Sequence, residues 1–260
     1  MYQPRIYREE MNSDRFRFFS SVHRESDLLI GLSHHLYQSS LEAVCREEQE
    51  RLYSLLSDHI ARNPSFASTL DPLPIPDGPG SLAPEVESMY RCAQASETGP
   101  MSSVAGLFAE AAGKAILALV EKRSAEDTAL LDSCELIVEN GGDLFVKNMK
   151  NLVVVIHSGD SALSGKLGLV IPPGEWGICT SSGTLGHSFS KGKADALTIV
   201  SRSTPLADAW ATAFANQVMG KEDIPPLLDR IAEIPEILGG VIIAGGEVGI
   251  RGEFETKLLS

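Results

Sequence analysis

The sequence predicts an α+β fold, in which long helices pack against a sheet rich in antiparallel strands. Predicted strands and long helices are grouped along the chain and do not strictly alternate, which argues against a doubly wound parallel sheet. Two stretches, 36–61 and 102–122, have patterns typical of long packed helices. The 260-residue chain is long enough to bury a substantial core. Length alone allows one large domain or two small ones. We expect residues 1–260 to form a single domain, because neither side of the proline-rich stretch at 64–84 looks complete alone.

The first 63 residues predict a β-hairpin followed by a long helix. Residues 5–9 and 15–32 have the patterning of strands, with a polar turn inside the second stretch. Apolar residues recur along 36–61 at helical spacing, and charged residues occupy the opposite face. A proline-rich connection, 64–84, follows, and we interpret it as a semi-rigid segment that wraps one fold.

The remaining core region, 85–260, predicts further helices and strands in groups. Gly99-Pro100-Met101 introduces the 102–122 helix, whose small residues allow close packing against a sheet. The start of that helix could instead meet a phosphate, because its first backbone N–H groups and its dipole favour an anion. The other predicted helices are at 84–95, 204–216 and 224–238, the last interrupted by Pro225, Pro226 and Pro235. The other predicted strands are at 134–138, 144–146, 152–157, 167–171, 176–179, 195–201, 241–244, 248–251 and 254–258.

The tetrapeptide Asn140-Gly141-Gly142-Asp143 links two predicted strands. Its pair of glycines lets the backbone turn sharply and come close to a neighbouring group. On its own, this pattern is typical of a β-hairpin turn. A turn that contacts a ligand is the functional alternative.

A second polar turn, Thr180-Ser181-Ser182-Gly183, follows the predicted strand at 176–179, and His187 comes shortly afterwards. The next predicted strand leads into a helix for which Thr204 is a suitable N-cap and Pro205 a suitable first residue. Hydroxyl groups, a histidine and the start of a helix are thus concentrated in one part of the chain. This concentration predicts a ligand site without indicating which ligand it binds.

The 204–216 helix has a predicted core face and a second face that carries a carboxylate and a hydroxyl. Asp208 and Thr212 are four residues apart, so they are neighbours on successive turns. Hard oxygen donors of this kind can bind Mg²⁺. The alternative is structural: Asp208 would complement the helix dipole, and Thr212 would bond a carbonyl within the helix. The predicted core face comprises Leu206, Ala209, Trp210, Ala213, Phe214 and Gln217.

Taken together, these motifs resemble those of the ApbE-like family, whose best-known members are FAD:protein FMN transferases. The family pattern has a Gly-Gly-Asp turn, a Thr-Ser-Gly turn, a histidine, and a helix with an Ala-Asp-Ala-x-Ala-Thr sequence. Matching segments occur here in the same order at 140–143, 180–183, 187 and 207–212. This sequence also resembles a shorter branch of the family, and the matching segments are Gly99-Pro100-Met101, residues 139–143 and residues 179–184.

The resemblance implies an ApbE-like, T-fold-like architecture with a site for FAD. Asp208 and Thr212 would hold Mg²⁺ against the pyrophosphate. His187 would act as an acid or a base, since a histidine titrates near neutrality. The activity implied is transfer of FMN to a protein acceptor. The residues implied in cofactor binding are Asn140, Gly141, Gly142, Asp143, Thr180, Ser181, Ser182 and Gly183.

Two departures from the family pattern leave other functions open. The usual lysine is missing from 104–109, and a histidine-x-isoleucine-aspartate-proline element is replaced by His187-Ser188-Phe189-Ser190. One alternative is a non-catalytic protein that binds a flavin or another nucleotide, and the shorter branch suggests a link with sulfur assimilation in anaerobes. Another is a thiol enzyme in which His187 activates Cys179 as a nucleophile.

Composition narrows the classes of partner. The net charge of −13 argues against binding to nucleic-acid polymers or anionic membranes, which need clustered Lys and Arg. No apolar run reaches the roughly 18 residues typical of a membrane span, and residues 1–10 lack the apolar region of a secretory signal. The four cysteines are scattered, which favours free thiols in a cytoplasmic protein.

Overall fold

The computed structural model describes residues 8, 14–76, 82–123, 133–159, 161–183 and 192–259. The strands are β1 (Phe16–His23), β2 (Ser26–Ser33), β3 (Leu136–Asn140), β4 (Asp143–Asn148), β5 (Leu152–Ile156), β6 (Leu167–Ile171), β7 (Gly174–Ser181), β8 (Ala196–Ser201), β9 (Ile237–Ala244), β10 (Glu247–Gly252) and β11 (Glu255–Leu258). The α-helices are α1 (Ser40–Arg62), α2 (Ser65–Ser68), α3 (Pro84–Ser96), α4 (Val104–Arg123), α5 (Thr204–Ala215) and α6 (Ile224–Ala232).

The strands form two antiparallel sheets. The larger sheet has the strand order β1-β2-β3-β4-β7-β8-β9-β10, and the smaller sheet has the order β11-β6-β5. Short turns connect neighbouring strands: Gly141 and Gly142 join β3 to β4, and Gly245 and Gly246 join β9 to β10. The predicted α+β class, with an antiparallel-rich sheet packed by long helices, is confirmed.

The larger sheet packs against helices on one face and against the smaller sheet on the other. Cys179 and Ile199 belong to a buried cluster with residues of α5 and α6. Ile178 and Val200, their neighbours in sequence, belong instead to a cluster with residues of β5 and β6. Successive side chains of a strand point to opposite faces, so the sheet contributes to two separate apolar layers. A third cluster joins α1 and α4 to β2 and β3.

Most predicted elements are confirmed, with differences of a few residues at their ends. The predicted hairpin forms β1 and β2, which pair along their whole length. Of the predicted strand at 5–9, only Arg8 lies within the described residues. The predicted strand at 176–179 continues as β7 to Ser181, so Thr180 and Ser181 lie in a strand and not in a turn.

The predicted helix at 224–238 ends before Pro235, one of the prolines expected to interrupt it, and its continuation to 238 is wrong. The helix α6 ends at Ala232, and β9 begins at Ile237 and pairs with β8. Pro235 lies between the two elements. Proline disfavours helical geometry in the residue before it and offers no N–H donor, which explains the end of the helix.

The predicted core face of α5 is correct only in part, because Ala209, Ala213 and Phe214 are buried but the other three residues are not. Leu206 and Trp210 are only half-buried and Gln217 is exposed, whereas Ala207 and Ala211 on the opposite face are buried in the core. The helix contacts β7 and β8 on one side and α3 and α4 on the other. Because protein surrounds most of α5, apolar spacing gives no information about which side faces the sheet.

The segment Pro100–Arg123, which contains α4, is the one helix in the described ranges with the length and composition to cross a membrane. Half of its apolar window is buried inside the protein. The helix α4 packs against α1, α5, β3 and β4. A core helix that meets protein on most sides has the same apolar composition, so these contacts account for it.

All four cysteines are buried free thiols, as their scattered spacing predicts. Burial raises the pKa of Cys45 and of Cys92 to about 12, and that of Cys134 to about 11. Burial together with the neighbouring carboxylates of Asp143 and Asp208 raises the pKa of Cys179 well above its ordinary value. The thiolate form, which is the reactive one, is therefore strongly disfavoured at all four positions.

Candidate functional site

A cavity of about 2850 Å³ extends over a large part of the protein, and one region of it is lined by the β3–β4 turn, the end of β7, the start of α4 and the middle of α5. Gly183 is not among its lining residues, and its N–H group donates to the carbonyl oxygen of Ala194 at 2.9 Å. His187 and Thr184 lie outside the described residues. The predicted site residues that line the cavity are Asn140, Gly141, Gly142, Asp143, Thr180, Ser181, Ser182, Asp208 and Thr212.

The β3–β4 turn has the backbone geometry that its two glycines permit. Gly141 has φ = 68° and Gly142 has φ = 108°, both in the region that side chains with a Cβ disfavour. The residues on either side, Asn140 and Asp143, pair across the hairpin. The N–H group of Thr180 donates to the carbonyl oxygen of Gly142 at 3.3 Å. The two polar segments predicted from the sequence are therefore joined directly.

Glu139 supports this turn from within the protein, although sequence reasoning assigned it no role. Its side chain is 1% exposed, and one carboxylate oxygen accepts the N–H group of Gly142 at 3.0 Å. The other accepts Nε of Arg8 at 2.6 Å, and Arg8 also bonds Asp27 at 2.9 Å. Although burial disfavours the charged guanidinium, the two carboxylates prevail and raise the pKa of Arg8. Its partners lie 131 and 19 residues away in sequence, beyond any local pattern.

Asp208 lies at the point where α4 and α5 meet. One of its carboxylate oxygens accepts the N–H group of Gly106 at 2.8 Å, and the residue is 9% exposed. Burial and the negative charge of Asp143 raise the pKa of Asp208 well above its usual range, against the opposing effect of hydrogen bonds from the backbone of Gly106 and Ala105. Asn140 belongs to the same group, because its Nδ2 donates to the carbonyl oxygen of Ala105 at 3.0 Å.

Gly106 makes the close approach of α4 and α5 possible. A Cβ at this position would lie 2.6 Å from the carbonyl oxygen of Thr204 and 2.9 Å from Cβ of Asp208. Both distances are shorter than real Cβ contacts allow, and one of them involves backbone. The absence of a side chain at 106 therefore allows the Asp208 carboxylate to reach the first turn of α4.

The start of α5 differs from the prediction in how it is capped. Thr204 is the first helical residue, the N-cap is Ser203, and Ser203 makes no side-chain capping bond. Instead, the N–H group of Thr204 donates to a carboxylate oxygen of Glu110 on α4 at 2.6 Å. Glu110 also forms an ion pair with Lys114. A carboxylate from another helix thus supplies the negative charge that a helix N-terminus favours.

Comparison with known proteins identifies the family of this chain. A model of the family described as AbpE bacteria matches residues 8–227, a range that includes every residue of the predicted site. The chain belongs to this AbpE family. A UPF0280 protein of Methanothermobacter thermautotrophicus is 37% identical over 196 residues, which are 74% of this chain and 70% of the relative. A UPF0280 protein of Methanocella arvoryzae is 37% identical over 212 residues, 80% of each protein.

Two solved structures share the fold of this AbpE-family chain. Pseudomonas stutzeri flavinyl transferase ApbE, in its apo form, aligns with a TM-score of 0.52 at 15% identity, covering 93% of this chain and 96% of the other. The ApbE protein of Thermotoga maritima aligns with a TM-score of 0.52 at 13% identity, covering 92% and 97%. The ApbE-like relationship and architecture that the sequence motifs imply are confirmed.

The thiol of Cys179 has surroundings unsuited to a nucleophile. It is fully buried, and its S–H group donates to the carbonyl oxygen of Thr204 at 3.3 Å. Reactive cysteines are partly exposed and have a lowered pKa, whereas the pKa of this thiol is raised. These observations argue against the thiol-enzyme alternative, in which His187 would activate Cys179.

The chemistry of the donor groups fits a hard cation. Asp208, Asp143 and Thr212 all offer oxygen ligands beside the cavity, which is the ligand type that Mg²⁺ prefers. Within the described ranges, no group of three or more His, Cys, Asp or Glu side chains is placed to hold a metal ion. A cation here would therefore need a hydroxyl, backbone, water or ligand oxygen in addition to the carboxylates.

Proposed function

We propose that this AbpE-family protein binds FAD in the cavity with the help of Mg²⁺ and transfers FMN from it to a protein acceptor. The observation that carries the proposal is that the segments 140–143, 180–182 and 208–212 line one cavity and are joined by hydrogen bonds, directly or through the first turn of α4. These segments are far apart in sequence, yet they contain the residues that the family resemblance implies. The shared fold with a protein named flavinyl transferase supports the same function.

In this proposal Asp208 and Thr212 hold the cation, and Asp143 adds negative charge beside it. Burial, and after it the negative charge of Asp143, raises the pKa of Asp208, and a proton or a divalent cation would stabilise such an arrangement. Mg²⁺, when bound, would neutralise the diphosphate and the charge that develops on its bridging oxygen. Ser181 and Ser182 would donate hydrogen bonds to the ligand.

The transfer step exchanges one bond to phosphorus for another. A nucleophilic side chain of the acceptor protein forms a bond to the phosphorus of the FMN half, and the bond from that phosphorus to the bridging oxygen breaks. AMP leaves with the electron pair, and the proton of the nucleophile passes to a base. The family resemblance assigns the acid–base role to His187. The cytoplasm as the place of reaction stays a prediction.

A protein that binds a flavin or nucleotide without transferring it is the second candidate. The missing lysine in 104–109 and the altered sequence after His187 favour it, because both depart from the transferase pattern. The link with sulfur assimilation belongs to this alternative and rests on the family resemblance alone.

Incubation with FAD, Mg²⁺ and candidate acceptor proteins tests the proposal directly. Flavin absorbance measures binding, and release of AMP with flavin covalently attached to the acceptor measures transfer. Asp208→Asn should lower the Mg²⁺-dependent affinity for FAD by about tenfold or more, which corresponds to about 1.4 kcal/mol. The fold should survive, because the side-chain oxygen of asparagine can still accept the N–H group of Gly106.

Asp229→Asn is the matched control, since Asp229 is exposed on α6 and does not line the cavity. It should bind FAD as the unchanged protein does. FAD binding without AMP release with any acceptor would favour the non-catalytic alternative. Absence of FAD binding by the unchanged protein in the presence of Mg²⁺ would overturn the proposal.

A further inference from the structure

A chain of three hydroxyl groups lines the cavity at the approach to α4. Ser96 Oγ donates to the carbonyl oxygen of Cys92 at 2.8 Å. Thr98 Oγ1 lies 2.7 Å from Ser96 Oγ and 2.7 Å from Ser102 Oγ. Ser96, Thr98 and Ser102 all line the cavity, and Ser102 is the most exposed of them.

The carbonyl at one end fixes the direction of every hydrogen bond in this chain. A carbonyl oxygen can only accept, so Ser96 uses its single hydroxyl proton on Cys92. Ser96 must then accept from Thr98, and Thr98 must accept from Ser102. This is the one assignment in which all three short contacts are hydrogen bonds. The hydroxyl proton of Ser102 is therefore used in the hydrogen bond to Thr98, and its oxygen can only accept hydrogen bonds from the cavity.

Backbone N–H groups of the same region also donate to acceptors within the protein. The N–H groups of Ala105 and Gly106, in the first turn of α4, bond the carboxylate of Asp208. The N–H group of Ser102 donates to the carbonyl oxygen of Gly99 at 3.1 Å. Residues 95–105 include a glutamate, Glu97, and no lysine or arginine. These features disfavour an anion, because a phosphate needs donors or positive charge.

We propose that Ser102 is a specificity-determining residue that accepts a hydrogen bond from a hydroxyl or N–H group of the ligand. Around Ser102 the cavity takes the uncharged, hydroxyl-bearing part of the dinucleotide, and no phosphate bonds the N–H groups at the start of α4, which Asp208 already occupies. This inference rests on the proposed function and revises the expectation that the start of the 102–122 helix meets a phosphate.

Two probes, FAD and inorganic pyrophosphate, separate the two parts of the ligand. Binding of each in the presence of Mg²⁺ would be measured by calorimetry for the unchanged protein and for Ser102→Ala. The substitution should weaken FAD binding by about tenfold, the upper range for one hydrogen bond, and should leave the affinity for pyrophosphate unchanged. A merely structural role for Ser102 would affect both probes alike.

Ser103→Ala is the matched control, because it makes the same chemical change one residue along the chain. Ser103 is buried, donates to the carbonyl oxygen of Pro100 at 3.0 Å and does not line the cavity. Two outcomes would overturn this inference and leave the proposed function intact. Ser102→Ala could leave FAD affinity unchanged, or it could reduce pyrophosphate affinity as much as FAD affinity. Absence of FAD binding by the unchanged protein would overturn the proposed function and this inference with it.

Discussion

At the scale of single residues, Glu139 shows how a buried charge can be stabilised while it fixes a turn. A carboxylate this well buried is costly unless hydrogen bonds and an opposite charge compensate for lost hydration. Arg8 supplies the charge, and the N–H group of Gly142 supplies a further bond. The turn that carries Asn140 and Asp143 into the cavity thus depends on a residue that lies beneath it.

Glu139→Gln should lower the free energy of unfolding by about 1–3 kcal/mol. Arg8 would lose its buried acidic partner, and Gly142 would lose a bond to a charged acceptor. Urea denaturation gives the measurement. Glu87→Gln is the control, because Glu87 forms an exposed ion pair with Arg91 along one helix and should contribute about 0.5 kcal/mol or less. Equal losses of unfolding free energy in the two variants would show that the buried Glu139 contributes no more to stability than the exposed Glu87.

The sequence could predict nine of the residues that line the cavity but not the residues that support them. Polar turns and the Asp208–Thr212 spacing are local patterns, and the segments that contain them meet at the cavity. Glu139 and Glu110 act on partners that are distant along the chain, 131 residues to Arg8 and 94 to Thr204. Such pairs form through tertiary packing, so the spacing of residues within a short segment cannot predict them.

At the scale of elements, the contact between α4 and α5 determines the position of Asp208. Gly113, two turns further along α4, packs against the ring of Phe145 on β4 and not against α5. The two helical glycines thus serve different contacts. Gly106 allows one helix to approach another, and Gly113 allows a helix to approach the sheet.

Gly106→Ala should lower the free energy of unfolding by about 1–3 kcal/mol, even though alanine is the better helix former. The added methyl group would press on the carbonyl of Thr204 and on Cβ of Asp208, so FAD affinity should also fall. Thermal melting and FAD titration give the two measurements. Gly113→Ala is the comparison: it should destabilise the protein without a matching loss of FAD affinity. Unchanged FAD binding in Gly106→Ala would contradict the role given to this contact.

Errors in predicting whole elements have physical causes as well. A hydrophobic stripe identifies the buried side of a helix only when the opposite side meets water. The helix α5 is covered on both sides, and its small residues Ala207 and Ala211 are as buried as Phe214 on the predicted core face. Beyond α6, the apolar run from Ile237 suits a helix or a buried strand equally, and pairing with β8 decides between them.

At the scale of the whole molecule, grouping of strands and helices was sufficient to predict the fold class. Strand neighbours were not predictable, because β4 pairs with β7 while β5 and β6 leave to form a second sheet with β11. Such pairings join residues that are distant in sequence. They are selected by the burial of both faces of the larger sheet.

Global stability should fall as the pH is lowered from about 7.5 to about 5.5. His59 is buried against Phe66 and Tyr90, and burial lowers the pKa of its ring. The unfolded chain takes up this proton near its ordinary pKa of about 6.5, whereas the folded protein does so only at lower pH. Stability is therefore complete above the unfolded value and is lost as the pH falls through it.

Thermal melting across this pH range tests the contribution of His59. His59→Phe keeps a ring in the same place but cannot titrate, so its melting temperature should depend less on pH. His34→Gln is the control, because His34 is exposed and should leave the slope unchanged. An unaltered slope in His59→Phe would exclude His59 as its source.

Because all four thiols are buried, the folded protein should not react with thiol-specific labels at its own cysteines. Maleimide dyes and spin labels react with accessible thiolates, which none of these side chains offers. Leu70 is exposed and lines the cavity. A cysteine introduced at this position would be the one accessible thiol of the folded protein. A reporter attached there could follow the docking of an acceptor protein at the mouth of the cavity.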